Sequence, residues 1–559
     1  PQVQQLPTGL PANLWQTYGV DQRPMSWLRL QGRLPSDYAL SKLSLSHLQL
    51  EPWLPKRPQI DVSVPVCLLI SDQCQLAMGS FKFAPEDVNW PETLKPAPEV
   101  SWLWQRQADQ QALYISNAQQ HMALAIDSGR LTGLGIGLAQ IAPTVDTGTH
   151  IIGHIAHLDA PYWLGLMQGD DTGAKGLQIP TLQKLAILVE QLQWQDVLLN
   201  NAQLNYTLAD KGWSFELLSD AAKGQVVSVD DGSPWQVNVD YLRIQLPEVQ
   251  DEDADVEKVD LLAAVDPALL PDMDVDVLEI MKNQQSYGHW RLKARNQDGK
   301  VYLHDIEADL HNSHLSGNMT WGRQGLSHET MFSGRVLSQG VAETLSGWGY
   351  SPTIDSNYGA LEAQLTWPAS PLAFDIEAAT GDFDLRIKQG EFFETPNLAG
   401  GLKVLSLLDM GRLLQRIRLD FTDIFSDEYQ FDSIHAHYNM ADGRARTVTP
   451  ATFKSSSLEL NLDGFIDFNS RTIDNDLFIT LPVADKLSFV ALLAGLPQLS
   501  GVLYVVDKLV GDELSTFTTA RYRVAGDLDR PDLDLQQIFD ANNQPKSLDE
   551  RLNNVIKFQ

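Results

Sequence analysis

Residues 458–474 read LELNLDGFIDFNSRTID, and the first five, Leu458-Glu459-Leu460-Asn461-Leu462, alternate apolar and polar without a break. A period of two sets the leucines on one face of a strand and Glu459 and Asn461 on the other. Asp463-Gly464 follows where a hairpin would turn, so the stretch predicts a strand, a tight turn and a returning strand. Working outward, the same rhythm recurs at Leu361, Ala363 and Leu365, at Phe383-Asp384-Leu385-Arg386-Ile387, and at Leu204-Asn205-Tyr206-Thr207-Leu208. These runs are half-buried antiparallel strands with one apolar face.

Turn residues fall beside such runs at Asp210-Lys211-Gly212, Asp231-Gly232, Asp298-Gly299 and Asp442-Gly443. Leu204 to Gly224, Leu292 to Leu310 and Leu458 to Leu481 share one weak scheme, a strand, a turn at Gly212, Gly299 or Gly464, and a second strand. Stacked hairpins account for that similarity better than a module repeated whole, and little helical period is left for βαβ units. The fold class is therefore mainly β: an elongated, curled antiparallel β-sheet, an open groove, with a few helices mostly near the C-terminal end. At roughly 4.8 Å per strand, about 25 to 30 strands in one sheet would exceed about 100 Å. Its apolar face needs a cover, and curling makes it a trough for which acyl chains are a natural filling.

Helical spacing appears late, at Leu402, Leu405, Leu408 and Leu413 and in KLSFVALLA from Lys486 to Ala494, which Pro497 ends. Val502, Val505, Val506 and Leu509 then line one side of Gly501 to Val510. The proline-rich stretch Pro91 to Pro98 and the acidic stretch Asp251 to Glu257 are loops; DEDADVE lacks the turn glycine and closing Glu of a calcium loop.

Across 559 residues the net charge is −31, with 41 Lys+Arg against 72 Asp+Glu. Such a chain repels phosphate backbones, which excludes nucleic acid as a partner, and gains nothing electrostatically from anionic headgroups. With hydrophobic residues at 43%, it can bury a large core. A turn near Ser71-Asp72-Gln73 would let Cys67 and Cys74 form a disulfide, and two buried thiols fit equally well. The first residue is Pro1 with no signal-like region after it, so any targeting segment is expected upstream, and no apolar run is long enough to span a bilayer as a helix.

The sequence carries few groupings that suggest catalytic or metal chemistry. His150, His154 and His157 would share a helix face, but Ile151, Ile152, Gly153 and Ile155 favour a strand, on which His157 points away from the other two. His435 and His437 share a strand face with no third ligand nearby, so no metal site is assigned. In GLGIGL, Leu138 and Gln140 stand where a dinucleotide fingerprint needs its third glycine; the alternating Gly133, Gly135 and Gly137 instead suit a bend or the close approach of another backbone. Asp382 and Asp384 are a chance carboxylate pair, and no phosphate loop, nucleophile elbow or zincin motif occurs. The expectation is a protein that is not an enzyme and takes no cofactor.

From Asp266 the chain carries DPALLPDMDVDVLEI, then YGHWRLKARNQDGKVYLHDIEADLHNSHLSGNMTW, SGRVLSQGVAETLSGWGY and LEAQLTWPASP. GDFDLRIKQGEFF, LSLLDMGRLLQRIRLDFTDIFSDEYQFDSI and YRVAGDLDRPDLDL follow in the last third. In this order the motifs resemble the AsmA-like proteins of Gram-negative envelopes, well over about Pro267 to Leu535 and more loosely over Leu43 to Gln245. Leu528 departs from the pattern, since relatives carry Trp between Gly526 and Pro531. The resemblance implies an inner-membrane-anchored periplasmic protein, its anchor preceding Pro1, with an elongated β-groove used in phospholipid transport between inner and outer membranes. Residues 1–250 are then the first stretch of groove, 251–265 an acidic linker or loop, 266–483 the continued groove, and 484–559 apolar helices, a terminal strand and a tail.

The candidate groove-lining residues are Leu361, Leu365, Phe383, Leu385, Ile387, Leu419, Phe421, Leu458, Leu460, Leu462, Leu477 and Ile479; each would serve equally as core in a closed sandwich. Phe489, Leu492 and Leu493 would either dock on a membrane or outer-membrane partner or plug the end of the trough. An alternative function is a scaffold or assembly factor for outer-membrane proteins, acting through an exposed sheet edge that pairs with client strands.

Overall fold

The computed structural model describes residues 99–160, 180–245, 260–392, 430–480 and 517–540, apart from short breaks, together with four strands nearer the start of the chain. The architecture is mainly β, a curled, unclosed and antiparallel-rich sheet, with one α-helix among the described residues. The chain divides into two units, Pro1–Tyr241 and Leu242–Gln559.

In the first unit, β1 (Val3–Gln5), β2 (Ser26–Arg33), β3 (Gln59–Pro65) and β4 (Leu76–Lys82) pair in order. β5 (Glu99–Gln107), β6 (Gln110–Ser116), β7 (Gln120–Asp127) and β8 (Arg130–Leu138) continue the antiparallel series. The hairpin expectation then needs correction. β9 (Gly148–Asp159) lies parallel to β8, and β10 (Leu182–Trp194) parallel to β9. The glycines of GLGIGL supply the reason: a Cβ on Gly133 would collide with the carbonyl oxygen of Asp146, and one on Gly137 with that of Ile141. The segment after β8 thus folds back against the bare backbone of its own strand, and β9 starts from the same end as β8. The close backbone approach expected of these glycines is what they permit. β11 (Val197–Ala209), β12 (Gly212–Leu218) and β13 (Ala222–Ser228) return to antiparallel pairing. Gly224 of β13 lies against the Asn238 carbonyl of β14 (Trp235–Ile244), whose last three residues belong to the second unit.

In that second unit, Leu242–Ile244 pair in parallel with a short strand that follows β15 (Met273–Val277), namely β16 (Ile280–Lys282), and β17 (Gln285–Ser286) folds back on β16. β18 (His289–Gln297) pairs with β15 and opens a meander through β19 (Lys300–Leu310), β20 (Ser313–Gln324) and β21 (Ser327–Ser338). A helix, α1 (Val341–Gly347), and β22 (Ile354–Ser356) precede β23 (Gly359–Trp367), which pairs with β21. Next come β24 (Thr380–Phe392), β25 (Gln430–Ala441), β26 (Arg444–Lys454), β27 (Glu459–Asp467), β28 (Thr472–Thr480), β29 (Phe517–Asp527) and β30 (Pro531–Asp540), antiparallel throughout.

The expected strands sit where alternation placed them: Leu204–Leu208 in β11, Leu361–Leu365 in β23, Phe383–Ile387 in β24. At Asp298-Gly299 and Asp442-Gly443 both residues have positive φ, as a two-residue hairpin turn whose twist matches its strands requires. Asp463-Gly464 is not a turn. Both residues lie inside β27, opposite Asp476 and Asn475, and the chain turns later, where Arg471 has φ 51°. The expected helices at 401–417, 486–494 and 501–510, the stretches 91–98 and 251–257, and Cys67 and Cys74 lie outside the described residues. Leu528 packs against the core of the second unit, and its N–H donates to the Arg471 carbonyl at 2.9 Å.

Candidate functional site

The apolar face of the second unit is assembled by register. Ile387 stands opposite Ile434, Ile434 opposite Phe453, Phe453 opposite Leu460, Leu460 opposite Ile479 and Ile479 opposite Ala520. Directly opposed residues in antiparallel strands share a face, so this row crosses from β24 to β29, about 24 Å at the usual strand spacing. A neighbouring row runs Leu462, Leu477, Tyr522, Leu535. Phe383 stacks on Tyr438 with ring centroids 5.4 Å apart, and the rings of Phe392, Phe431 and Phe453 form a contiguous group.

Of the expected lining residues, Phe383, Leu385, Ile387, Leu460, Leu462, Leu477 and Ile479 are buried in one apolar cluster, and Leu361 and Leu365 pack half-buried against it. Leu460 and Leu477 are 0% exposed, so the face is covered rather than wet. Val341 and Leu345 of α1, with Ile354, Ile376 and Ala379, belong to the same cluster. Leu419, Phe421, Leu458, Phe489, Leu492 and Leu493 lie outside the described residues. Ile434, Ala436, Tyr438 and Met440 also line the face, although they were not among the candidates. Their alternation with His435, His437 and Asn439 is the sequence signal that places them there.

The opposite face is charged and internally paired. Asp384 meets His435 Nε2 at 2.8 Å and Arg386 Nε at 2.8 Å, and Asp382 faces His437 at 3.8 Å. Arg521 grips Asp476 with two bonds of 3.0 and 2.6 Å, and Arg523 holds Asp474 with two of 3.0 Å. A polar hollow of about 720 Å³ on this side takes in Arg335, Glu362, Gln364, Asp382, Asp384 and His437. Asp382 and Asp384 are thus members of cross-strand ion pairs. His150, His154 and His157 lie on β9, as the strand alternative had it, and His154 Nε2 meets Glu190 at 3.0 Å. No group of three metal-ligating side chains occurs among the described residues.

One charged pair gives a pH-dependent expectation. The Asp467 carboxyl accepts from the Ser470 N–H at 3.0 Å and from Arg444 Nε at 2.7 Å, and these bonds, Ser470 first, hold its pKa below the usual carboxylate value. A depressed folded-state pKa contributes stability that is complete above the unfolded value, about 4, and lost as pH falls through the lower folded value. Asp467→Asn therefore melts below the parent at neutral pH, and the gap narrows below about pH 4. Melting curves across that range check it; a gap independent of pH would mean that the charge contributes nothing.

A curled, unclosed sheet that in its second unit sets an apolar face against a charged one defines the class of protein. The chain belongs to the YhdP family, whose profile, described as YhdP protein, matches residues 89–533. That span includes the upstream region from residue 89 onward, where the motifs are looser, and leaves out residues 43–88. A similar relative is the intermembrane phospholipid transporter YhdP of Escherichia coli (strain K12), 20% identical over 322 residues that make up 57% of this chain and 25% of that protein. The match therefore spans about a quarter of that relative's length. No solved structure matches the chain.

Proposed function

We propose that this chain is a segment of a periplasmic conduit that shields phospholipid acyl chains on the apolar face of its curled sheet as they pass between inner and outer membranes. The observation that carries the proposal is the uninterrupted apolar row from Ile387 to Ala520, crossing strand after strand without a charge. Burying each CH₂ gains about 0.8 kcal/mol, so an acyl chain displacing side-chain contacts along this row is held. Successive strands offer nearly the same surface, so neighbouring positions have nearly equal energy and the chain can slide. The paired charges of the other face keep the sheet in water, and the net charge of −31 leaves hydrophobic contact as the means of holding lipid. Family membership and the printed activity of the E. coli relative support the same cargo. Anchoring in the inner membrane through a segment outside this chain, and delivery to an outer-membrane partner, complete the proposal.

The test uses a photoreactive phenylalanine in place of Leu477 or, on the opposite face of the same strand, Asp476. Irradiation in envelopes is expected to couple phospholipid at position 477 and not at 476. Equal labelling at both positions, or none at either, would sink the proposal.

A further inference from the structure

One side chain interrupts the apolar face of β28. Asn475 alternates with Ile473, Leu477 and Ile479 there and is 2% exposed. Neither its amide nitrogen nor its amide oxygen has a hydrogen-bond partner. Its cross-strand neighbours cannot supply one through their side chains, since they are Gly464 and the fully buried Val524. Its Oδ1 occupies the space that a Cβ on Gly464 would take, so the glycine that does not make a turn makes room for this amide.

The surrounding backbone is irregular at the same level. Pairing between β26 and β27 breaks between Arg446 and Ala451, a bulge beside Gly464. The Thr447 hydroxyl in that bulge is already used: its Oγ1 donates to Asp463 and accepts from the Gly464 N–H. A buried amide without partners forfeits the hydration of both its groups, a cost that a leucine of the same branched shape would not carry. Such a group is explained when a guest in the same space offers hydrogen-bonding atoms.

We propose that Asn475 is a polar station in the lipid path, where the amide N–H₂ donates to the ester carbonyls of a glycerolipid whose tails lie along the flanking apolar rows. The inference rests on the groove proposal and adds a register to it. A uniform apolar row makes neighbouring positions equivalent; a single amide distinguishes the one at which the ester level of the lipid pauses. The ligand class is specific: ester-linked glycerolipids carry the carbonyl acceptors, and ether-linked lipids with identical tails do not.

The full chain is loaded from vesicles of dioleoyl phosphatidylethanolamine or of its dioleyl diether analogue, and retained lipid is counted by mass spectrometry. The expected result is about fivefold better retention of the diester, the equivalent of one hydrogen bond of about 1 kcal/mol. N475L is expected to retain both lipids equally and, free of lipid, to melt no lower than the parent. Equal retention of both lipids by the parent, or a preference that persists in N475L, overturns the station while leaving the groove standing. Retention of neither lipid removes the groove proposal and the station with it. An N475L chain that melts well below the parent, or does not fold, shows that the amide is satisfied within the protein, by trapped water for example, and overturns the station as well.

Discussion

Leu477→Asp abolishes cooperative folding of the second unit. Leu477 is 0% exposed, lies between Leu462 and the fully buried Tyr522, and belongs to an apolar cluster with no cation in it. An aspartate there loses the burial of a leucine, about 2–5 kcal/mol judged by truncation to alanine, and adds the cost of a buried carboxyl without a partner. Against a total stability of about 5–15 kcal/mol, that sum leaves little or nothing. The control is one residue away. Asp476 faces the other side and pairs with Arg521, its side chain partly exposed, so Asp476→Asn costs about 1 kcal/mol or less. Urea denaturation followed by circular dichroism, with hydrogen exchange over β27 to β29, separates the two. Parent-like unfolding of the Leu477→Asp chain would mean that the face is open to water.

Gly133→Val is expected to dismantle the parallel step of the first unit. The added Cβ meets the Asp146 carbonyl oxygen, a backbone atom, and the Ala125 Cβ at 3.2 Å on the neighbouring strand. Ala125 is held opposite Gly133 by β7–β8 pairing and the Asp146 clash is with backbone rather than a flexible side chain, so the loss exceeds the about 1–3 kcal/mol usual for overpacking a core. The amides of residues 148–152 that bond to β8 should then exchange freely, while Thr149, whose N–H donates to the Thr181 carbonyl at 2.8 Å on the β10 side, and the amides of β11 and β12 remain protected. Gly325 offers the comparison: its φ is 65° and no atom lies within 4 Å of an added Cβ, so Gly325→Ala pays only the backbone strain, about 1–2 kcal/mol. Equal protection of 148–152 in parent and Gly133→Val would show that the returning segment does not depend on the bare backbone.

Much of the apolar face was legible because facing is a local property. Leu385, Leu460 and Ile479 could be assigned to the apolar side from their own neighbours in sequence, and register then brought them into one cluster. Ile434 and Tyr438 carry the same signal, and the histidines between and beside them, His435 and His437, meet Asp384 and Asp382 across the strands. Asp-Gly was ambiguous for a physical reason. At 298–299 and 442–443 positive φ at both positions makes the turn, whereas at 463–464 the glycine is needed for the space beside it.

The sequence by itself determined the strands, their two faces and the separation of apolar from charged residues, because a period of two is written in adjacent residues and needs no knowledge of partners. Only the tertiary structure decided which strand meets which. The parallel placement of β9 depends on a segment returning across Gly133 and Gly137, and the isolation of Asn475 on Gly464 and Val524 coming to stand opposite it. Both are contacts between residues brought together by pairing, and alternation, which fixes the face of a side chain, is blind to what faces it.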